Sequence, residues 1–391
     1  MEDGAQRGRR DAGAEPAAER AFRLLRERPS FADKSGMLPR LARLCLTEGR
    51  FVCISRPRGF GKSADACLLA AGFGPQGRVL LAGLEAERDS AFERFAGRYG
   101  AVLLDIKALL AASGSGEAFC ALLEREAAAG LGLPGASLAC ALKEACQRRQ
   151  GRFVLVVDGW DAPLDGPLPD GPCRTRYLAL LESLCQAREV WALACLFGEA
   201  PLERCPSLMA RLPRFAAFSM RNPGILGPWT GLGERPVRRI CQERGLDFDE
   251  LLAWHGGWTF DLAGRMFPPS AVAGYAETRR HRRFFAGSWA NALLAELLAA
   301  CPELGDALTL LAEGERVRIE RGPGLEEGFG VSSLDACLLR LVHAGLVCFR
   351  LHTGEVFAPC LEVRLCLLEA AAGGKMQCAR ATHLDVRQAR S

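Results

Sequence analysis

Four nearly uninterrupted apolar runs lie in the first half of the chain, and stretches with helical periodicity separate them. The runs are FVCIS (51–55), AVLLDI (101–106), FVLVVD (153–158) and VWALACLFG (190–198), and RFAAFSM (214–220) is a candidate fifth strand. Runs without polar alternation are typical of strands buried on both faces, as in a parallel sheet covered by helices. The pattern therefore predicts an α/β fold.

Helical patterns surround these runs. The first begins at Ala21 and ends before Pro29, and the next extends from Met37 to Gly49 behind a candidate capping residue, Ser35. Further helices are predicted between the strands, over 63–73, 116–131, 137–149 and 175–188.

The character of the chain changes after about Pro228. A helical stretch (235–254) leads into a segment rich in aromatic and turn residues (254–275), and helical patterns return from Phe284. A helix followed by a hairpin, VCFRL–HTG–EVFAP, then indicates a winged-helix-like module. We predict five segments: a disordered tail (1–20), an α/β domain (21–228), a helical lid region (229–300), a winged-helix-like module (301–370) and a C-terminal tail (371–391).

The amino-acid composition limits the class of protein to which this chain can belong. The 391 residues are 49% hydrophobic and 25% charged, as in an ordinary globular protein, and the net charge of +4 is too small to indicate nucleic-acid binding by itself. The 17 cysteines include no C-x-x-C pair, which favours buried free thiols over zinc sites. No signal peptide and no apolar run of roughly 18 residues is present, so we expect a cytoplasmic protein without a membrane partner.

A phosphate-binding loop is predicted directly after the first apolar run. SRPRGFGKS (55–63) ends in the G-K-S of the G-x-x-x-x-G-K-S/T motif, although Arg56 stands where that motif has its first glycine. A strand, this loop and a helix in succession would direct backbone N–H groups and a helix N-terminus at an anion. The residues predicted to contact a nucleotide are Arg56, Pro57, Arg58, Gly59, Phe60, Gly61, Lys62, Ser63 and Ala64. A chance match in a basic, glycine-bearing loop is the alternative.

A metal ligand is predicted at the end of a neighbouring strand. Asp158 follows the apolar residues of FVLVVD, and ligands of open α/β sheets bind at the carboxyl ends of strands. In such a site Lys62 reaches the phosphates, while the Ser63 hydroxyl and Asp158 hold Mg²⁺. An ordinary turn-forming aspartate is the alternative for Asp158.

Several motifs together resemble a known family. Four segments resemble the AAA-ATPase-like family of prokaryotic P-loop proteins, namely FADKSGMLPRLARL, FVCISRPRGFGKS, LLDI and GRFVLVVDGWDAPLD. Members of that family typically contain the motifs F-x-D-K-S/T, S-R-P-R-R-F-G-K-S and D-E-Y-D-x-P-L. Looser similarities extend the resemblance over roughly residues 22–365. In this family the arginine at the first-glycine position is usual, and the resemblance implies ATP and Mg²⁺ as ligands.

The chain departs from the family pattern at position 159, directly after the apolar run FVLVVD. Gly159 stands where the family has a glutamate that orients or deprotonates the attacking water, and glycine has no side chain for that task. Asp161 is retained from the D-x-x-D pattern and is the predicted catalytic residue, acting through a water, with turn capping as the alternative. Nucleotide binding is thus favoured over fast hydrolysis.

Two further features leave alternatives open. Asp33 and Lys34 match the family's D-K pair and would fold over the nucleotide, or they form an exposed capping pair. The basic run ETRRHRRFF (277–285) would contact nucleic-acid phosphates, or it is a solvated helix face. Family members often carry a further nuclease domain; the stretch after 368 is too short for it, so no nuclease role is expected.

The sequence therefore predicts an ATP-binding P-loop protein of AAA-ATPase-like type that hydrolyses ATP slowly if at all. The alternative is a non-hydrolysing, nucleotide-dependent switch or scaffold that binds a protein or nucleic-acid partner.

Overall fold

A five-stranded parallel sheet forms the centre of the first part of the chain. The computed structural model describes residues 16–28, 30–147, 152–165, 171–260, 264–319 and 333–373; most of both predicted tails lies outside this range. The strands are β1 (Phe51–Ser55), β2 (Gly100–Asp105), β3 (Phe153–Asp158), β4 (Trp191–Gly198) and β5 (Ala216–Phe218). Their order across the sheet is β2-β3-β4-β1-β5, and all neighbours are parallel.

Helices cover both faces of this sheet. They are α1 (Ala17–Arg26), α2 (Met37–Ala42), α3 (Lys62–Phe73), α4 (Gly77–Leu80), α5 (Ile106–Ala112), α6 (Gly116–Gly130), α7 (Leu138–Gln147), α8 (Ala162–Asp165), α9 (Gly171–Gln186) and α10 (Pro206–Met209). The predicted fold class, a P-loop NTPase-like parallel sheet covered by helices, is confirmed.

Alternate residues of each central strand supply two separate hydrophobic cores. In β1, Val52 and Ile54 pack on the face that carries α1 and α3, whereas Phe51 and Cys53 pack on the face that carries α6 and α9. Every residue of β1 and β4 is buried, because both strands lie inside the sheet with a helical layer on each side.

The predicted helix over 37–49 is shorter in the structure. It ends at Ala42, and Leu46 takes a left-handed conformation with φ of 64° while its backbone N–H donates to the Ala192 carbonyl, 2.8 Å away. The chain must reverse here to enter β1 beside β4, and this tertiary bond replaces the helical one. The helix prediction was therefore wrong beyond residue 42.

The lid segment contains a small sheet as well as helices. Its strands are β6 (Leu232–Gly233), β7 (Trp258–Phe260) and β8 (Gly264–Phe267), which pair antiparallel in the order β6-β8-β7. Its helices are α11 (Glu234–Arg244), α12 (Phe248–His255) and α13 (Pro269–Thr278). Two of its strands, β7 and β8, lie in the aromatic stretch that carried no helical pattern.

The last part of the chain has a winged-helix-like order of elements. Its elements are α14 (Ser288–Ala300), α15 (Leu304–Glu313), β9 (Val317–Arg318), α16 (Leu334–His343), β10 (Cys348–Arg350), β11 (Glu355–Phe357) and α17 (Leu361–Ala371). The predicted helix and hairpin are present, and β11 pairs antiparallel with both β10 and β9.

Two general features of the described residues concern membrane-spanning helices and the state of the cysteines. No helix among them is both long and apolar enough to cross a membrane. The cysteines in the same part of the chain are free thiols, and most of them are buried.

Candidate functional site

The loop between β1 and α3 has a backbone conformation compatible with phosphate binding. Gly59 and Gly61 take left-handed conformations, with φ of 80° and 84°, which side chains with a Cβ rarely adopt. Gly61 also precedes the first residue of α3, and a Cβ there would lie 3.3 Å from Pro269 and 3.4 Å from the Lys34 ammonium. The loop therefore delivers the chain to the N-terminus of a twelve-residue helix, where an anion is favoured.

The Lys62 side chain folds back over this loop. Its ammonium donates to the backbone carbonyls of Arg56 and Pro57, at 2.8 and 2.9 Å, and the residue is 8% exposed. Burial lowers the pKa of Lys62 to about 8, although nearby carboxylates, Glu199 foremost, act in the opposite direction. The structure thus holds a poorly solvated cation inside the loop, which a phosphate would compensate better than two carbonyls do.

Ser63 and Asp158 are brought together beside Lys62. Asp158 is the last residue of β3 and is 7% exposed, and the Ser63 hydroxyl lies close enough to its carboxylate to favour the ionised form. Burial raises the pKa of Asp158; the nearby Ser63 hydroxyl opposes the rise, and the carboxylate of Asp105, its neighbour on β2, adds to it. Two oxygen-bearing side chains, from a helix start and a strand end, therefore lie next to the loop.

One carboxylate oxygen of Asp161 is hydrogen-bonded to the backbone that follows β4. Its Oδ2 accepts hydrogen bonds from the N–H groups of Glu199 and Ala200, at 2.8 and 2.6 Å, and the residue is 2% exposed. Burial raises the pKa of Asp161, and these two bonds act against the rise. Asp161 thus fastens the turn after β3 to the end of β4, in line with the capping alternative.

Glu199 is a site residue that the sequence analysis missed. It follows β4 directly, and its carboxylate accepts from Arg58 Nε at 2.8 Å and from Lys107 Nζ at 2.6 Å. Burial raises the pKa of Glu199, but attraction from Lys62 and the bonds from Arg58 and Lys107 outweigh it, and the pKa lies below its usual value. An acidic residue directly behind a long apolar run is a signal that could have identified it, by the reasoning applied to Asp158.

The Arg56 side chain points into the protein. The residue is 1% exposed, and its guanidinium donates to the hydroxyl of Thr230 at 2.9 Å and to the carbonyls of Ser55 and Phe218 at 2.7 and 2.9 Å. Burial lowers the pKa of Arg56 to about 9, opposed by attraction from Asp65. Its backbone lines the loop, whereas its side chain connects β1 with β5 and the lid segment.

A cavity of about 240 Å³ opens beside the loop, and Gly61 of the loop and Ala64 of α3 lie in its wall. The buried ion pair of Lys34 and Asp65, 2.5 Å apart, lies in its wall, and burial raises the pKa of Asp65 to about 6 against the attraction of Lys34. Asp33 has a different role, because its carboxylate accepts from the N–H groups of Ser35 and Glu85. Apolar residues of α1, α3 and the lid form much of the rest of the wall, including Phe22, Leu68, Leu232 and Pro269.

The middle of the loop is packed against the lid segment and the last part of the chain. Phe60 is fully buried, with its ring centroid 5.7 Å from that of Trp258 and 5.9 Å from that of Phe285. The Gly59 carbonyl accepts from the Ser270 N–H at 3.1 Å, and a Cβ on Gly345 would lie 2.5 Å from Pro57. The phosphate-binding loop is thus in direct contact with both the lid and the winged-helix-like module.

The basic run 277–285 is partly engaged within the chain. Arg279 donates to the Arg244 carbonyl at the end of α11, and Arg283 pairs with Glu369. His281 stacks between Trp254 and Tyr275, whereas Arg280 and Arg282 are exposed.

Comparison with solved structures gives distant similarities. The chain is 14% identical to the Aeropyrum pernix ORC2 protein, solved as ADPNP-ADP complexes, with a TM-score of 0.43 over 87% of this chain and 94% of that one. It is 15% identical to a Walker-type ATPase of Pyrococcus abyssi, with a TM-score of 0.45 over 85% and 95%. It is 14% identical to Cdc6p of Pyrobaculum aerophilum, with a TM-score of 0.33 over 94% and 98%. No protein-family model and no characterised protein sequence matches the chain, so the functional inference depends on the site itself.

Proposed function

We propose that this protein binds ATP together with Mg²⁺ at the loop between β1 and α3, and that it hydrolyses ATP slowly. The observation that carries the proposal is the meeting of Lys62, Ser63 and Asp158 at the N-terminus of α3. A buried ammonium and a helix N-terminus form an environment suited to a polyphosphate.

The residues beside the loop fit a magnesium ion. Mg²⁺ prefers oxygen ligands and commonly takes one or two from the protein, with the rest from phosphates and water. The Ser63 hydroxyl and the Asp158 carboxylate supply such oxygens and lie near each other. When bound, the ion would offset the negative charge of the phosphates.

The cavity lined by Gly61 and Ala64 is the proposed place of the base and ribose. It adjoins the phosphate loop, its walls are largely apolar, and Lys34 and Asp65 provide one donor and one acceptor. Such a pocket, apolar with a few polar groups, is typical of small-molecule sites.

Slow hydrolysis follows from position 159. Gly159 offers no carboxylate, and the Asp161 oxygen Oδ2 is engaged by two backbone N–H groups. Gly159 thus supplies no carboxylate, and the Asp161 carboxylate is buried and bonded to the backbone, so neither residue of this turn presents a solvated carboxylate of the kind that usually orients the attacking water.

Thermal unfolding tests the proposal. Mg²⁺-ATP at about 100 times its dissociation constant should stabilise the protein by roughly 2.7 kcal/mol and raise the melting temperature. Lys62→Ala should abolish that rise, whereas Lys143→Ala, which removes an exposed charge on α7, should preserve it. An absence of any rise in the wild type, or an equal rise in Lys62→Ala, would contradict the proposal.

The affinity for ATP should also depend on pH through Lys62. In the free protein the pKa of this side chain is about 8, so it is charged below that pH and loses its proton above it. Phosphates favour the charged form of Lys62 and raise its pKa in the complex, so the affinity should fall about tenfold between pH 7 and pH 9. Titration calorimetry measures this, and Lys62→Arg, whose side chain stays charged throughout, should flatten the profile.

A nucleotide-dependent switch is the second candidate function, and the packing of Phe60 favours it. The ring joins the loop to Trp258 and Phe285, so a loop rearrangement around phosphates would disturb the lid and the winged-helix-like module. Nucleotide binding without Lys62-dependent phosphate release would favour this alternative over the slow enzyme.

A further inference from the structure

We propose that His255 and His281 form an acid-sensitive latch, which joins the lid segment to the winged-helix-like module and opens when a further proton binds to the pair. The inference goes beyond the proposed function, because it concerns how two parts of the chain are held together and needs no nucleotide. It rests on a row of polar contacts from Glu362 to Glu250 and on the number of protons that this row can hold.

Glu362 is a buried carboxylate that binds two other parts of the chain at once. It lies in the first turn of α17 and is 1% exposed. Its Oε1 accepts the backbone N–H groups of Phe285 and Ala286, at 2.6 and 2.9 Å. Its Oε2 lies 2.7 Å from Nδ1 of His255, a fully buried residue at the end of α12. Because a buried carboxylate costs free energy unless donors surround it, these contacts fasten α17 to α12 and to the segment before α14.

His281 extends this row of contacts toward the surface. Its Nδ1 lies 3.4 Å from Nε2 of His255. Its Nε2 lies 3.2 Å from Oε1 of Glu250, at ion-pair distance although not aligned for a straight hydrogen bond. The ring is stacked between Trp254 and Tyr275, with centroids 4.8 and 4.5 Å away, and the side chain is 15% exposed. Two imidazole rings therefore connect a buried carboxylate with an exposed one.

The row accommodates three protons on its four ring nitrogens. A neutral imidazole carries one N–H group and an imidazolium carries two, whereas an ionised carboxylate only accepts. One N–H must face each carboxylate and one must lie between the two rings, because facing lone pairs repel each other. The row is therefore satisfied when the two rings share one positive charge between the two carboxylates.

A fourth proton has no place in this row. It would turn both rings into imidazolium ions, and two N–H groups would face each other across the 3.4 Å between His255 and His281. Burial lowers the pKa of His281, and the charge of His255 lowers it further, against the attraction of Glu250. Acid therefore favours a conformation in which the His281 ring has left its stack, because the ring binds the proton more readily there.

Other charged and titratable groups from the neighbouring elements surround the pair. Burial raises the pKa of Tyr275 to about 12 and that of Cys366 to about 11, and it raises the pKa of Cys360 well above its usual value, so these groups stay uncharged near neutrality. The ionic groups are Asp247, Glu250, Arg283, Glu362 and Glu369. Carboxylates and guanidinium groups ordinarily titrate outside the range from pH 5 to pH 7, whereas imidazoles titrate within it.

Opening the latch would alter the contacts of the phosphate loop. The segment that carries His281 continues to Phe285, whose N–H group bonds to Glu362 and whose ring packs against Phe60 in the middle of the loop. When His281 leaves its stack, this segment loses one of its attachments to the lid. The latch thus connects the protonation of a histidine pair with the packing behind the loop.

Denaturant titration at pH 7 and pH 5 tests the latch without nucleotide. The wild type should lose more stability on acidification than His281→Gln, whose amide does not titrate. The unfolded chain binds the proton with the ordinary affinity of a histidine and the native chain binds it more weakly, so the stability is lost as the pH falls below about 6.5. The ratio of the wild-type folding constant to that of the variant should fall at least about threefold. This ratio cancels the contribution of His343, whose pKa burial lowers to about 4.

A second histidine variant and a measurement on the wild type complete the test. His352→Gln removes an exposed histidine from the turn between β10 and β11, and it should keep the wild-type pH dependence. Hydrogen exchange needs no variant: from pH 7 to pH 5, protection of the Phe285 and Ala286 amides should fall at least about threefold more than that of the β1 amides. Equal pH dependence in the wild type and His281→Gln, or unchanged relative protection of those two amides, would overturn the inference.

Discussion

Replacing Phe60 with alanine is expected to lower the free energy of unfolding by about 3–5 kcal/mol, the usual loss for a buried phenylalanine. The ring is fully buried between Trp258 and Phe285, and its removal would leave a cavity where the phosphate loop meets the lid. Chemical denaturation followed by far-ultraviolet circular dichroism measures the change, since that signal does not depend on the nearby tryptophan.

A second buried phenylalanine provides a control that separates the loss of stability from the loss of ATP binding. Phe119 is equally buried, but it packs against Tyr177 in the core on the face of the sheet that carries α6. Phe119→Ala should be destabilising to a similar extent, and only Phe60→Ala should also weaken ATP binding, because only that ring positions the loop. A loss below about 1 kcal/mol for Phe60→Ala would show that the lid does not support the loop.

The sheet could be predicted from the sequence because its central strands, β1, β3 and β4, are buried on both faces. Burial on two sides removes the polar alternation of a half-buried strand, so FVCIS and FVLVVD stand out as apolar runs and appear in the structure with the same bounds. The helix after Met37 was predicted too long, since a tertiary bond from Leu46 to β4 determines where the chain turns. Such a bond leaves no periodic mark in the sequence.

Parts of the site followed from local rules and parts did not. Lys62, Ser63 and Asp158 could be placed together because a loop motif and a strand end at one edge of a parallel sheet must be neighbours. Glu199 obeys the same rule and could have been found. The ion pair of Lys34 with Asp65 could not, because the two residues lie on elements whose contact depends on how α3 packs against the N-terminal segment.

The arginine at the first-glycine position is a second case in which tertiary contacts could not be predicted from the sequence. Sequence reasoning could place Arg56 at the end of β1 and explain why no glycine turn is needed before Pro57. It could not tell that the guanidinium turns inward to Thr230, far along the chain in the lid segment. The loop is therefore fixed at two points. Arg56 bonds to Thr230 and Phe218, and Phe60 packs against aromatic rings of the lid region, so both sets of partners lie beyond β4 in the chain.

Restoring the consensus glycine, Arg56→Gly, is for this reason expected to destabilise the protein by about 3 kcal/mol or more. The substitution removes hydrogen bonds from a charged donor to Thr230, Ser55 and Phe218, each worth roughly 1.5–3 kcal/mol, and leaves the buried carboxylate of Asp65 with less positive charge near it. Denaturant titration measures the loss.

Arg58→Gly is the matched control, because it makes the same change two residues away in the same loop. The Arg58 side chain is 58% exposed and pairs with Glu199 at the surface, so its loss should cost about 1 kcal/mol or less. A large difference between the two variants would show that burial and inward hydrogen bonds, rather than glycine flexibility in the loop, account for the effect. Equal losses, or a gain in stability for Arg56→Gly, would mean that the guanidinium of Arg56 does not connect the loop with β5 and the lid in solution.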